Sequence, residues 1–281
     1  MDFVLLDETG GASTSNGEKL TPDLLAMAAR VATVFLNRDV APYWGGEHQV
    51  RAGSSPTDIL PNELPAHVQA SLQDAPGAIA YHSVDGAGIP DIFDGITLSD
   101  TLFGPGGWLV AITHELAETV GDPGTNTLRA DGEGKLFAQE LCDPLEVESY
   151  PIQINADGSV GPTPAANTPV GLQPDGSFIA FVTNFVLDAF FTPNHTGPFD
   201  FMTAQGVAGA AGPSGPFQLV PASGGDYQIW ETDPQAETEV TALHAEHPLM
   251  GKVRVHGNLI RRLLKKRHCS SRPYRRGLRV S

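Results

Sequence analysis

The five residues His114-Glu115-Leu116-Ala117-Glu118 combine metal-ligating and acid–base side chains at a spacing that could support catalysis. Residues four apart share one face of a helix, so His114 and Glu118 can point at the same metal ion. Glu115 lies one step further round, where its carboxylate can take a proton from a water molecule at that metal. The spacing therefore predicts a metal centre with His114 and Glu118 as ligands and Glu115 as the catalytic base.

This prediction requires a helix at these residues. The run WLVAITHELAETVG follows a Gly-Pro-Gly-Gly segment and stops at Gly121-Asp122-Pro123, which indicates a helix of about three to four turns. The residues before His114 are mainly apolar, as in a helix buried inside a domain. In the alternative interpretation the polar residues simply face solvent, and His114 is a partly buried histidine without a ligand role.

Other elements are predicted around this helix. Just before it, the apolar runs 78–84 and 89–96 are separated by Asp85-Gly86, which indicates a β-hairpin. Near the start of the chain, a threonine N-cap, a proline and an aspartate precede a helical pattern over residues 22–37. The segment 178–187 favours a buried strand. Further turn signals, typical of hairpins, lie at 156–158 and 174–176, and the segment 135–145 fits either a short helix or a strand.

The segment HELAE, on a helix after an extended hairpin, resembles the active-site helix of the zincin metallopeptidases, whose signature is His-Glu-x-x-His. The resemblance implies that His114 binds zinc, that Glu115 is the general base and that the hairpin 78–96 supplies an edge strand for a peptide or protein substrate. Glu118 replaces the second histidine of that signature. The segment is also similar to uncharacterised bacterial and phage-associated proteins in which His-Glu-x-x-Glu is followed by Asp-Pro. The resemblance is strongest over residues 78–145.

A third ligand is needed beside His114 and Glu118. By the resemblance to zincins with a downstream acidic ligand, either Glu140 or Asp143 takes that place, and the sequence does not separate the two. Asp122, His82 and His195 are further candidates. Cys142 lies next to them, where its thiolate could bind zinc, although a small buried cysteine is the commoner role. A shared calcium site formed by Asp122, Asp143 and Glu146 is a separate alternative.

The carboxylate of Glu118 changes the expected chemistry. It donates more negative charge than an imidazole does, so the bound metal is a weaker Lewis acid. Zinc is the expected cofactor, and the ligand types also admit manganese, iron or calcium. We therefore expect a metal-dependent, peptidase-like hydrolase. The alternatives are a non-catalytic structural or interaction protein, for example one associated with a virion, and a calcium-dependent binding module.

Charge divides the chain into two parts. The net charge is −16, but all 33 acidic residues lie within residues 1–251, whereas residues 252–281 hold eleven Lys and Arg residues and no acid. An acidic body argues against nucleic-acid binding there and is compatible with divalent cations. The basic tail could contact nucleic-acid phosphates or fold back on the acidic body.

The pattern of elements predicts an α+β fold with a mixed twisted sheet, a long early helix and an active-site helix, and the resemblance implies that this fold is zincin-like. The expected division is a metal-binding domain over 1–202, a Gly/Pro-rich linker with a small β segment over 203–256, and a basic tail over 257–281.

No apolar run is long enough to span a membrane, and acids near the start argue against a signal peptide. We therefore expect a cytoplasmic or phage-particle-associated protein. Two cysteines exclude a disulfide framework and a four-cysteine zinc site.

Overall fold

The computed structural model describes residues 1–85, 88–145, 148–165 and 167–220, together with two short strands at 229–231 and 266–268. It is a mixed α/β structure with a mixed sheet and few helices. The expectation of helices combined with a mixed sheet is confirmed at this level. Within the described ranges, no helix has both the length and the apolar character needed to cross a bilayer.

A five-stranded sheet forms the centre of the fold, with strand order β2-β1-β3-β5-β4. Its strands are β1 (Asp2–Glu8), β2 (Gln49–Gly53), β3 (Glu63–Gln69), β4 (Ala80–Val84) and β5 (Pro90–Gly95). The pairs β1–β2, β1–β3 and β3–β5 are parallel, whereas β4 runs antiparallel to β5 at the edge of this sheet. The predicted hairpin is therefore confirmed, although part of its turn lies outside the described residues.

The first helix, α1 (Pro22–Val34), begins as its sequence predicts. The side-chain oxygen of Thr21 accepts a hydrogen bond from the backbone N–H of Leu24, and proline occupies the first turn, where its missing N–H costs nothing. The α-helix ends earlier than expected and continues as a π-helical turn (Phe35–Val40), followed by the short helix α2 (Ala41–Trp44).

The helix that carries the motif, α3 (Trp108–Gly121), matches the predicted limits. It packs against β4 and β5 on one side and against the strand β10 (Phe178–Thr183) on the other. Elements on both sides leave α3 with little access to solvent, which explains why nearly all of its residues are buried. The backbone N–H of Thr183 donates to the hydroxyl of Thr113 and ties β10 to this helix.

Two smaller sheets complete the described fold. In the first, β10 lies between β8 (Ser149–Ile154) and β9 (Gly171–Leu172) in antiparallel pairings. All six residues of β10 are buried, so the predicted strand is confirmed over its first part. The second sheet has the order β12-β11-β7-β6. Its strands are β6 (Leu128–Ala130), β7 (Lys135–Ala138), β11 (Ile229–Glu231) and β12 (Lys266–His268).

After the helix α4 (Phe201–Gln205), residues 206–220 are irregular and pack against the body. The backbone N–H of Phe217 donates to the carbonyl oxygen of Phe190, and the Phe217 ring centroid lies 4.8 Å from that of Phe137. The division into 1–202, 203–256 and 257–281 stays a prediction. Residues 221–228, 232–265 and 269–281, which hold most of the expected small β segment and of the basic tail, lie outside the described residues.

Candidate metal centre

Helix α3 places the imidazole of His114 and the carboxylates of Glu115 and Glu118 on the inside of the fold. The Nε2 atom of His114 lies 3.2 Å from Oε1 of Glu118, one helical turn further on. Only 4 % of the Glu118 side chain is exposed, and Glu115 is also buried. The spacing of four residues therefore places His114 and Glu118 together, as a shared helix face requires.

The segment after β7 crosses the end of α3 and adds Asp143. Its Oδ1 atom lies 3.1 Å from His114 Nε2. The backbone N–H groups of Cys142 and Asp143 both donate to Glu118 Oε1, at 3.1 and 3.2 Å. His114, Glu118 and Asp143 thereby form a group whose ligand atoms all lie within 4.8 Å of one another, close enough to hold a metal ion.

The edge strand β4 contributes a second imidazole. His82 Nδ1 lies 2.8 Å from Glu115 Oε2 and 3.4 Å from Glu118 Oε2. His82, Glu115 and Glu118 form a second group that could hold a metal ion. Glu118 belongs to both groups, with Oε1 beside His114 and Oε2 beside His82.

Glu140 faces His82 and is not part of the group around His114. Its Oε2 atom lies 3.7 Å from His82 Nε2, which is too long for a hydrogen bond. Within the part of the chain that the structure describes, both of these atoms are buried and have no hydrogen-bond partner. Glu140 and Asp143, which the sequence could not separate, therefore take different positions.

The remaining candidates belong to neither of these two groups or lie outside the described residues. Both carboxylate oxygens of Asp122 accept hydrogen bonds from Thr127, and His195 is exposed in a turn. Cys142 is buried, and its thiol lies 3.7 Å from the carbonyl oxygen of His114. Glu146, part of the calcium alternative, lies outside the described residues.

Electrostatics in this centre favour positive charge. Burial alone lowers the pKa of His82, but the surrounding carboxylates of Glu140, Glu115 and Glu118 outweigh burial and raise that pKa to about 10. Burial likewise lowers the pKa of His114, and the nearby Glu118 and Asp143 are among the groups that raise it well above its usual value. Both imidazoles thus sit where a cation is stabilised.

The same environment raises the pKa values of several acids and so favours their uncharged forms. Burial, followed by the negative charge of Glu118, raises the pKa of Glu140 well above its usual range and also raises the pKa of Asp143. Burial and the charge of Glu115 raise the pKa of Asp94, on the neighbouring strand β5, well above its usual value. A cation among these carboxylates would relieve their mutual repulsion.

The contribution of His82 to a second group was not foreseen. In the sequence His82 is only one of several possible third ligands. The alternation of side chains along β4 was the only available sign of this role, because it places every second residue on the face of the sheet that α3 covers. No local spacing connects residue 82 to residues 114–118, so the contact depends on how α3 packs against β4.

Comparisons of the chain with protein-family models, with curated proteins and with solved structures found no match.

Proposed function

We propose that this protein is a zinc-dependent hydrolase of the peptidase type, with His114, Glu118 and Asp143 as the metal ligands. The observation that carries this proposal is the grouping of one imidazole and two carboxylates within 4.8 Å of one another. Such a donor set fits zinc. The two backbone N–H groups that bind Glu118 Oε1 orient this ligand, as partners outside the ligand set of metal sites commonly do.

Glu115 is the proposed general base. A divalent cation in such a site supplies Lewis-acid chemistry, because it lowers the pKa of water and polarises a carbonyl group. Glu115 follows His114 directly and accepts the proton of the attacking water. The contact between its Oε2 atom and His82 Nδ1 holds the carboxylate in place. A quarter of the Asp143 side chain is exposed, so a substrate would approach the centre from this side.

The arrangement of sheet and helix supports a zincin-like fold and a peptide or protein substrate. The antiparallel edge strand β4 lies beside α3, and its residue His82 contacts Glu115 in the proposed centre. An extended peptide can add to such an edge through backbone hydrogen bonds. We therefore propose that β4 aligns a polypeptide substrate with Glu115.

Replacement of Glu115 by Gln tests the proposal, because glutamine keeps the shape of the side chain and cannot accept the proton. Hydrolysis of a peptide library should fall by at least about 10²-fold. Elemental analysis of the same preparation should still find about one equivalent of zinc. The exposed His195→Ala variant is the matched control and should keep both activity and metal. Wild-type protein that is free of metal, or turnover that Glu115→Gln leaves unchanged, would refute the hydrolase assignment.

A non-catalytic structural or interaction role is the second candidate. It is favoured by the close contact of Glu115 with His82, since a carboxylate held in an ion pair is a weaker base. In that case metal is still bound through His114, and its removal destabilises the fold. No substrate in the library would then be cleaved by the metal-loaded wild type.

A further inference from the structure

We infer that the protein binds a second divalent cation through His82, Glu115 and Glu118, so that Glu118 bridges two ions. This inference rests on the metal centre of the proposed function, with His114, Glu118 and Asp143 around the first ion. It does not require that the centre be catalytic. The ion class is a transition-metal dication such as Zn²⁺ or Mn²⁺, because the donors are one imidazole and two carboxylates.

The two oxygens of Glu118 carry the geometric argument. Oε1 lies 3.2 Å from Nε2 of His114, whereas Oε2 lies 3.4 Å from Nδ1 of His82. A carboxylate whose oxygens face two separate ligand groups has the arrangement of a bridge between two ions. Paired metal ions in hydrolases are about 3.5–4 Å apart, a separation that one carboxylate can span.

The unpartnered atoms next to His82 provide an independent observation. Only 5 % of the His82 side chain is exposed, and its Nε2 atom has no hydrogen-bond partner among the described residues. Glu140 Oε2, equally unpartnered, lies 3.7 Å away. If Nδ1 held a cation, the neutral imidazole would carry its proton on Nε2, the atom that faces Glu140. A carboxylate behind a metal-bound histidine is the usual arrangement in such centres.

Charge balance favours two ions over one. The cluster holds four carboxylates, from Glu115, Glu118, Glu140 and Asp143, beside two imidazoles that are neutral when they bind metal. With one dication, two of these carboxylates must either remain charged in a mostly buried site, which is costly, or take up protons. Two dications balance the charge of all four carboxylates.

An ion at the second position engages Glu115. The protein loaded with one ion is therefore the form in which Glu115 is free to act as a base.

Manganese binding tests this inference with a readout that is independent of activity. Equilibrium dialysis of the full chain against Mn²⁺ should give about two equivalents for the wild type and about one for His82→Ala. Electron paramagnetic resonance should show an exchange-coupled pair in the wild type, because Glu118 connects the ions, and an isolated ion in His82→Ala. The exposed His195→Ala variant should behave like the wild type.

Different outcomes separate the two proposals. One equivalent in the wild type that His82→Ala retains and His114→Ala loses would overturn the second site and leave the first standing. No bound ion in the wild type would overturn both. Two ions without exchange coupling would overturn the bridging role of Glu118. Should His82→Ala fail to fold by circular dichroism, Glu115→Gln replaces it and should lose the second equivalent while keeping the first.

Discussion

Carboxylates raise the pKa of individual imidazoles in this protein, also away from the candidate metal centre. His67 on β3 has Nδ1 2.9 Å from Glu8 and Nε2 3.3 Å from Asp91. The ion pair with Asp91 favours the charged imidazole, burial opposes it, and the hydrogen bond with Glu8 favours it again, so that the pKa of His67 rises to about 9. The ring also stacks on Phe93, with centroids 5.1 Å apart. His67 is therefore positively charged at neutral pH and connects three strands of the central sheet.

Replacement of His67 by Gln should remove a pH-dependent part of the stability. Because its folded-state pKa is raised, His67 stabilises the fold fully below about pH 6.5, and this contribution is lost as the pH rises through about 9. We expect His67→Gln to lower the free energy of unfolding by about 1–2 kcal/mol at pH 6, a value discounted for partial solvent access. Urea unfolding at about pH 6 and about pH 9.5 measures the difference. Equal losses at both pH values would contradict it.

At the scale of elements, the junction between α3 and the segment after β7 determines where Asp143 lies. A Cβ atom added to Gly121 would lie 2.6 Å from Cγ and Cδ1 of Leu141, so glycine lets the segment cross close to the helix end. The backbone carbonyl of Leu141 also accepts a hydrogen bond from Val186. Asp143 follows two residues later, beside His114.

Gly121→Ala should therefore disturb both packing and metal binding. Leu141 is fully buried and must shift, and such overpacking costs about 1–3 kcal/mol, which exceeds the gain of about 1 kcal/mol from better helix propensity. We expect a lower free energy of unfolding and weaker Zn²⁺ binding, measured by urea titration and calorimetry. The double variant Gly121→Ala/Leu141→Val makes room for the methyl group and should recover part of both losses. Unchanged affinity in Gly121→Ala would show that this contact does not position Asp143.

At the scale of the whole molecule, the buried carboxylates would connect binding of the proposed metal ion to the stability of the fold. The centre joins β4, α3 and the segment after β7, which belong to different parts of the fold. Without a cation its acids repel one another, and a ligand that binds only the folded state stabilises it by mass action. Binding of a metal ion should therefore raise the free energy of unfolding of the whole domain.

Zinc should raise the melting temperature of chelator-treated protein. At about 100-fold excess over the dissociation constant the gain is about 2.7 kcal/mol per site. For a chain of this size that corresponds to roughly 5–10 °C, which differential scanning calorimetry resolves. His114→Ala should show a much smaller increase, whereas His195→Ala should respond like the wild type. A melting temperature that does not change with zinc would argue against a metal centre in these residues.

Local patterns along the chain were enough to predict several of the elements around the candidate centre, but not β2 and β3 of the central sheet. Helix α3 was predicted within its observed limits, because glycines before it and Gly121-Asp122-Pro123 after it are local start and stop signals. The start of α1 at Thr21, the hairpin of β4 and β5 and the strand β10 were predicted for the same kind of reason. The pairing of His114 with Glu118 followed from the helical repeat alone.

The assembly of the candidate centre was decided by tertiary structure. Glu140 and Asp143 lie three residues apart in a segment without a regular repeat, so no periodicity could say which of them meets His114. The packing of Leu141 on Gly121 and the hydrogen bonds to Glu118 direct that segment. His82 reaches Glu115 only because α3 packs on β4. Spacing in the sequence determines which residues share a face of one element, whereas contacts between elements depend on how the whole chain packs.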